Sequence, residues 1–346
     1  MIVSTRSLWR ATSQPIADLQ QKIKDAQLEA STGRMTDLGT KLGAKTSLSI
    51  DLRNVVDLGT VAIEQNGLAA SELQVSQNSL TNLMDIAHSF VSTLIGARNA
   101  TNGQALVKDA AKNALASLQT ILNTTQNGKA LFAGINSSTS PISDYTSTPT
   151  SAAKTAVDTA FATQFGTSQT GAGVSSITST QMESFLDGPF ANLFNQANWS
   201  STWSTASNQN SKVRIDDHLK VDAATNANED AFRDMASAFT MVFDLGTGSL
   251  NQAAFEKLVD KATTIASSAA SKVGDIAGQL GNTQKLLSDQ KTRLEQRNDI
   301  LMQGLEGLEG VNQAEVATRV NTLTTQLEAS YSLTVRINKL SLLNYL

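Results

Sequence analysis

The most constraining feature of the chain is a proline-free stripe of small and apolar residues that runs from Leu48 to Leu94. Its members recur in alternating steps of four and three residues, which keeps one face of a helix against a partner. They are Leu48, Leu52, Val55, Gly59, Ala62, Asn66, Ala69, Leu73, Ser76, Leu80, Leu83, Ala87, Phe90 and Leu94. The stripe predicts one long helix, packed in a coiled coil or in an ordinary helical bundle.

A second stretch with the same spacing supplies a partner for this helix. Its members are Ala262, Ala266, Ala269, Val273, Ile276, Leu280, Thr283, Leu287, Gln290, Leu294, Arg297 and Leu301. Because a middle region joins the far ends of the two stretches, we expect the helices to run antiparallel. The run GLEGLEG at 304–310 predicts a break after the second helix. Glu306 and Glu309 within this run are interpreted as solvated charges.

The four prolines separate two helical arms from a different middle. Pro15 fits the first turn of a helix, and the others are Pro141, Pro149 and Pro189. Since proline breaks helix interiors, residues 16–140 and 190–346 are free to be helical.

The middle region, from Ile135 to about Asn210, is dominated by Ser, Thr, Asn and Gly. Its aromatic residues are numerous enough for a small core: Phe161, Phe165, Phe185, Phe190, Phe194, Trp199 and Trp203. We expect a small β or mixed domain here, with 212–221 as a return strand. Disorder in part of 136–180 is the alternative on composition.

These patterns predict a mainly α fold. A long antiparallel coiled-coil rod from the two arms carries a small β or mixed α/β domain inserted in the middle. The expected division is an N-terminal arm of helix and loop, the long helix with a following helix, the central domain, the return helices and a C-terminal helix. The corresponding ranges are 1–47, 48–134, 135–221, 222–310 and 311–346.

The last predicted helix has apolar residues on two faces. One face carries Leu323, Leu327 and Tyr331, whereas Leu333 and Ile337 lie almost opposite. A single partner helix cannot cover both faces, so we expect them to meet neighbouring subunits in a polymer, together with the first helix. The predicted assembly residues are Ile16, Leu19, Ile23, Leu323, Leu327, Tyr331, Leu333, Ile337, Leu340, Leu342, Tyr345 and Leu346.

Composition and motifs argue against several other classes of protein. The net charge of −4 has mixed signs, unlike a nucleic-acid-binding surface, and the absence of cysteine excludes disulfides and thiol catalysis. No apolar run has the length of a membrane span or a signal peptide. His88 lies on a helix flank, and Asp216-Asp217-His218 lacks further ligands for a metal. We predict a non-enzymatic protein without cofactor or metal.

Three stretches resemble the flagellin superfamily. The motif NGKALFAG at 127–134 is similar to the segment by which these proteins leave their helical core for an outer domain. STGRMTDLGTKLGAKTSLSIDLR at 31–53 and LEASYSLTVRINKLSLLNYL at 327–346 are similar to the hook–filament junction branch, the first in its alphaproteobacterial form. Gly33-Arg34-Met35 replaces a longer signature that flagellins usually carry, which departs from a filament flagellin.

The resemblance implies a structural subunit that joins the flagellar hook to the flagellin filament. Its implied partners are flagellin, the neighbouring hook-associated protein, further copies of the chain in a ring, and an export chaperone on the C-terminal helix. It also implies type III export without a cleaved signal, and an extracellular location in the axial structure. Neither nucleic acid nor membrane insertion is expected. The alternatives are a minor flagellin and a coiled-coil type III secretion tip or adhesin-like protein.

Overall fold

The computed structural model describes residues 5–216 and 219–343, which form two compact units. The terminal unit contains Met1–Ile63 and Thr292–Leu346, and the central unit contains Glu64–Lys291. Two long helices, α3 (Thr46–Ala97) and α9 (Gln252–Glu309), contribute a segment to each unit. These are the two helices that the stripes predicted.

The terminal unit adds two further long helices to its segments of α3 and α9. Helix α1 (Thr5–Thr32) packs antiparallel against α10 (Gln313–Leu343). The Gln20 side-chain amide, for example, donates to the Tyr331 hydroxyl at 2.9 Å. Between α1 and α3 lies the short helix α2 (Leu38–Leu42), which Asp37 caps by accepting from the Thr40 amide. The segment predicted as loop therefore contains one helical turn.

Helix α1 begins earlier than the sequence predicted and carries Pro15 in its interior. Proline has no amide hydrogen, so the helix lacks the hydrogen bond that residue 15 would donate to Ala11. Helical backbone nevertheless continues on both sides. Pro15 is thus a weak point within α1 rather than its first turn.

The central unit combines short helices and two β-hairpins with its segments of α3 and α9. The helices are α4 (Gly103–Leu122), α5 (Ala152–Phe165), α6 (Ser179–Phe185), α7 (Gln196–Thr202) and α8 (Asp230–Asp244). The strands are β1 (Thr125–Gln126), β2 (Lys129–Ala130), β3 (Lys212–Asp216) and β4 (Leu219–Asp222). Strands β1 and β2 pair antiparallel, as do β3 and β4, so the predicted return strand is a hairpin.

Aromatic rings form the core of the middle region, as predicted. Trp199 stacks on Trp203 with ring centroids 5.1 Å apart, and Tyr145 stacks on the same Trp203 at 5.1 Å. A row of phenylalanines continues this cluster through Phe161, Phe165, Phe185, Phe190 and Phe194. Helix α5 lies inside the stretch for which disorder was the alternative. The mixed inserted domain, and with it the predicted fold class, is confirmed.

Side-chain contacts confirm that α3 and α9 run antiparallel in both units. In the central unit, Gln284 donates to Gln74 at 2.8 Å and Arg98 donates to Asp260 at 2.7 Å. In the terminal unit, Arg53 binds Glu309 and Asn298 donates to Thr60 at 3.3 Å. The predicted stripe is also buried through most of the central segment of α3, where Leu73, Leu80 and Leu94 have no exposed surface.

The buried stripe shifts by one residue within the terminal unit. Leu48 and Val55, predicted to face inward, are 49% and 39% exposed, whereas Ser49 is fully buried. On α9, Arg297 is exposed and Asn298 is buried in its place. A polar side chain occupies the contact between the two helices, because Asn298 lies over Gly59. A Cβ atom at position 59 would meet the Asn298 Oδ1 at 2.3 Å. The heptad pattern was therefore wrong at Leu48, Val55 and Arg297, whereas Gly59 and Leu294 are buried as it predicted.

The predicted break lies at the end of GLEGLEG rather than along it, because α9 continues through Gly304 and Gly307, ends at Glu309, and is followed by α10 from Gln313. A helical glycine destabilises by only about 1 kcal/mol relative to alanine, and buried Leu305 holds this last stretch of helix. Glu306 is exposed, as predicted. The prediction for Glu309 was wrong, since this residue is only 1% exposed.

Candidate assembly surface

The terminal unit leaves large apolar side chains in solvent on each of its four long helical segments. They are Leu28, Leu48, Ile50, Val55, Leu58, Val61, Ile300, Met302, Tyr331, Leu333 and Val335. Among the described residues of this unit, the buried apolar side chains are Ala26, Leu294, Leu305 and Val316. The unit therefore has more apolar side chains than its own interior covers.

The predicted assembly residues fall into three groups in this unit. Those on the facing stretches of α1 and α10 are half-buried, namely Ile16, Leu19, Ile23, Leu323, Leu327 and Ile337. Tyr331 and Leu333 are 45% and 61% exposed. The side chains of Leu340 and Leu342, and all of Tyr345 and Leu346, lie outside the described residues. A role in assembly stays a prediction for all twelve.

Sequence reasoning missed the exposed residues on α3 and α9. Leu58 and Val61 project from α3, and Ile300 and Met302 project from α9. A signal for the first pair was present, because both stand beside the predicted stripe and widen the apolar face. Such a face is broader than one partner helix can cover.

A buried carboxylate, Glu309, joins the last turn of α9 to the first turns of α3. Arg53 donates to both of its oxygens, at 2.8 Å from Nε and 2.5 Å from Nη2. The Ser49 hydroxyl donates a further bond at 2.5 Å. The hydrogen bond from Arg53 holds the pKa of Glu309 below its ordinary value, although burial alone would raise it.

A second buried carboxylate, Glu29, joins α1 to α2 and α10. Lys41 of α2 binds one of its oxygens, and Arg319 of α10 binds the other at 3.0 Å. The Thr36 amide and hydroxyl donate at 3.2 and 2.9 Å. Burial would raise the pKa of Glu29, but the hydrogen bonds from Lys41 and Thr36 outweigh it, and the pKa is lowered.

The backbone connects the two carboxylate sites. Arg34 and Gly310 form an antiparallel bridge between the α1–α2 and α9–α10 connections. Its hydrogen bonds run from the Met35 amide to the Glu309 carbonyl at 2.8 Å and from the Val311 amide to the Gly33 carbonyl at 3.0 Å. Gly33 has a φ of +70°, a conformation that favours glycine.

The described residues offer no chemical centre beside this surface. Within ranges 5–216 and 219–343, no group of three His, Cys, Asp or Glu side chains is placed to hold a metal ion. His88 is exposed, and Asp217 and His218 lie outside the described residues. No described helix has the length and apolarity that crossing a membrane requires.

Comparison with known proteins assigns both ends of the chain to one family. Residues 3–137 match the bacterial flagellin N-terminal helical region, and residues 263–346 match the flagellin C-terminal helical region. No curated protein sequence matches the chain significantly.

Among solved structures, the chain is similar to a flagellar hook-associated protein from Vibrio parahaemolyticus. The two share 9% identity over 75% of this chain and 99% of the other, with a TM-score of 0.42. A likeness of this degree carries no argument about function. The two family matches together cover more than half of the chain, at the ends that form the terminal unit and its adjoining helices. The chain therefore belongs to the flagellin superfamily and is a structural subunit of the flagellum.

Proposed function

We propose that this subunit joins the flagellar hook to the flagellin filament, as a hook-associated junction protein. The observation that carries an assembly role is the exposed apolar surface on all four long helical segments of the terminal unit. Such surface is unfavourable in water and favours association. The choice of a junction role rests on the sequence resemblance of residues 31–53 and 327–346 to that branch of the superfamily.

A subunit in a ring between hook and filament has neighbours on its sides and at both ends, and these are the proposed partners. Neighbouring copies form a ring around the axis, and such head-to-tail contacts use two different patches on each subunit. One end of the ring meets the neighbouring hook-associated protein and the other meets flagellin. The twelve predicted assembly residues serve these contacts, and we add Leu58, Val61 and Ile300.

We further propose a route of export and a domain organisation for the subunit. The subunit leaves the cell through the flagellar type III channel without a cleaved signal, and a chaperone covers α10 before export. It works in the extracellular axial structure, without enzymatic activity. The five-part division at 47, 134, 221 and 310 remains our proposal for the chain, with the domain 135–221 facing outward.

Electron microscopy of a deletion strain tests the junction role. We expect hooks without filaments, together with free flagellin in the medium. Partial loss of the filament would instead indicate a minor flagellin. Intact flagella would contradict both roles and favour a secretion tip or adhesin-like protein.

A charge substitution tests whether the terminal surface acts in assembly. Leu333→Asp with Val335→Asp places charge on exposed positions, so the monomer should stay folded while filament growth fails. The matched control is Ile135→Asp, at an apolar position of the central unit that is 57% exposed. Normal motility in the double variant, or equal loss in the control, would contradict the proposed surface.

A further inference from the structure

Two buried carboxylates, Glu29 and Glu309, lie beside the connections that join the α1–α10 pair to α3 and α9. Among the described residues of the terminal unit, the buried apolar side chains are Ala26, Leu294, Leu305 and Val316. Glu29 and Glu309 are enclosed to a similar degree, at 2% and 1% exposed. Together they bind side chains from α2, α3 and α10.

We propose that Glu29 and Glu309 form a clasp, consisting of these carboxylates with Lys41, Ser49, Arg53 and Arg319. Glu309 fixes the end of α9 on α3, Glu29 fixes the end of α1 on α2 and α10, and the Arg34–Gly310 backbone bridge joins these two sites. Neutralising the carboxylates releases the α1–α10 pair from this arrangement while the central unit stays folded. This inference concerns the isolated chain, so it stands or falls independently of the junction role.

The two carboxylates of the clasp lie beside the connections between helices. Glu29 is near the end of α1, and Glu309 ends α9, so each lies beside a connection of a few residues. The backbone bridge between Arg34 and Gly310 lies between the two carboxylates. An interaction placed where the chain reverses direction controls the orientation of the whole helical pair that follows it.

Burial makes the clasp depend on the charge of both carboxylates. An enclosed carboxylate needs its cationic partners, because water does not replace them. Glu29 is faced by Lys41 from α2, Thr36 from the connection and Arg319 from α10. Glu309 is faced by Ser49 and Arg53 from α3, and Arg34 adds a longer-range attraction.

The sign of the pH dependence follows from the lowered pKa values of both groups. A carboxylate whose pKa is lower in the folded state stabilises that state fully above the ordinary value of 4.5. The stabilisation is lost as the pH falls below 4.5 toward the lowered folded values. Acid therefore opens the clasp, whereas a rise above neutrality leaves it closed.

Spin-label distance measurements on the full chain test the clasp. The chain has no cysteine, so Gln303→Cys on α9 and Gln326→Cys on α10 place labels at two exposed sites of the terminal unit. At pH 7 we expect a narrow distance distribution in the parent. We expect Glu309→Gln or Glu29→Gln to broaden it about twofold. In the parent, the distribution should broaden progressively as the pH is lowered below 4.5.

The matched control is Glu306→Gln, which neutralises an exposed carboxylate on the same turn of α9 and should leave the distribution narrow. In a Trp9→Phe background, near-ultraviolet circular dichroism of the buried Trp199 and Trp203 should stay unchanged in all variants at pH 7. Unchanged distributions in both clasp variants would overturn the proposal. Broadening in the control, or loss of the tryptophan signal, would also overturn it, because release would then be neither specific nor local.

Discussion

Segments of α3 and α9 pair in both the central and the terminal unit, but the buried side chains of the two units differ. In the central unit, buried side chains are mostly apolar, and rings such as Phe90 and Phe239 meet edge to face at 4.9 Å. In the terminal unit, the described buried residues include as many polar side chains as apolar ones. The polar ones are Glu29, Ser49, Asn298 and Glu309.

The difference teaches where each unit obtains its stability. The central unit is stabilised by a dense apolar core of its own. The terminal unit keeps its helices aligned by charge and leaves apolar side chains in solvent. It has the composition of an interface rather than of an independent domain.

Core truncation should separate the two units most strongly. Phe239→Ala removes a fully buried ring from the central unit and should lower the free energy of unfolding by about 3–5 kcal/mol. Leu333→Ala, at a position of the terminal unit that is 61% exposed, should change it by less than about 0.5 kcal/mol. Denaturant titration followed by tryptophan fluorescence measures the first effect, in a Trp9→Phe background that leaves Trp199 and Trp203. Equal losses of stability in Phe239→Ala and Leu333→Ala would contradict the proposed difference between the two units.

Two bidentate ion pairs give the next comparison. Arg53→Ala leaves buried Glu309 without its main partner and should weaken the end of α9 by about 3 kcal/mol. Arg98→Ala breaks a pair with Asp260 of similar geometry, but that carboxylate is 51% exposed and solvent screens the pair, so the expected loss is much smaller. Hydrogen exchange of peptides from α9 and α3 reports both. A larger effect at Arg98 would contradict the ranking.

Tyrosine hydroxyls sharpen the comparison further. The Tyr145 hydroxyl donates to Asp244 at 2.5 Å inside the central unit, where burial raises the pKa of that carboxyl. Tyr145→Phe should therefore lower the free energy of unfolding by about 1–3 kcal/mol. The control Tyr331→Phe loses one exposed bond from Gln20 and should change stability by less than about 0.5 kcal/mol. Thermal unfolding of both variants measures these two losses of stability, and the loss should be larger for Tyr145→Phe.

Glycine substitutions give the smallest expected effects. Gly304→Ala finds open space on α9 and should stabilise the helix by about 0.5–1 kcal/mol. Gly59→Ala meets Asn298 and should destabilise the α3–α9 pair by about 1 kcal/mol, because that side chain must move. Exchange rates at the end of α9 should fall in the first variant and rise in the second. The same sign in both would refute the proposed contact.

The sequence predicted the features that depend on repeated apolar residues. The long helices, their antiparallel pairing and the aromatic core all follow from positions such as Leu73, Leu80 and Trp199. These features are predictable because apolar burial is governed by local periodicity.

The rest depends on long-range polar contacts, which periodicity does not record. The sequence alone gives no reason to bury Glu309, because its partner Arg53 is more than two hundred residues away in the chain. Gly59 reads as a weak core position until Asn298 is seen over it. The exposure of Leu48 and Val55 follows from these contacts, so the surface on α3 was missed where the polar pairs set the register.

The most direct test of the account compares solvent access in the free chain and in isolated flagella. Single cysteines at Leu58 and Leu333, with Ile135→Cys as the central-unit control, are reacted with a maleimide in both states. All three positions are exposed in the free chain. We predict that labelling at positions 58 and 333 falls about tenfold on assembly while position 135 stays reactive. Equal reactivity at all three positions in both states would contradict the claim that neighbours cover the terminal unit.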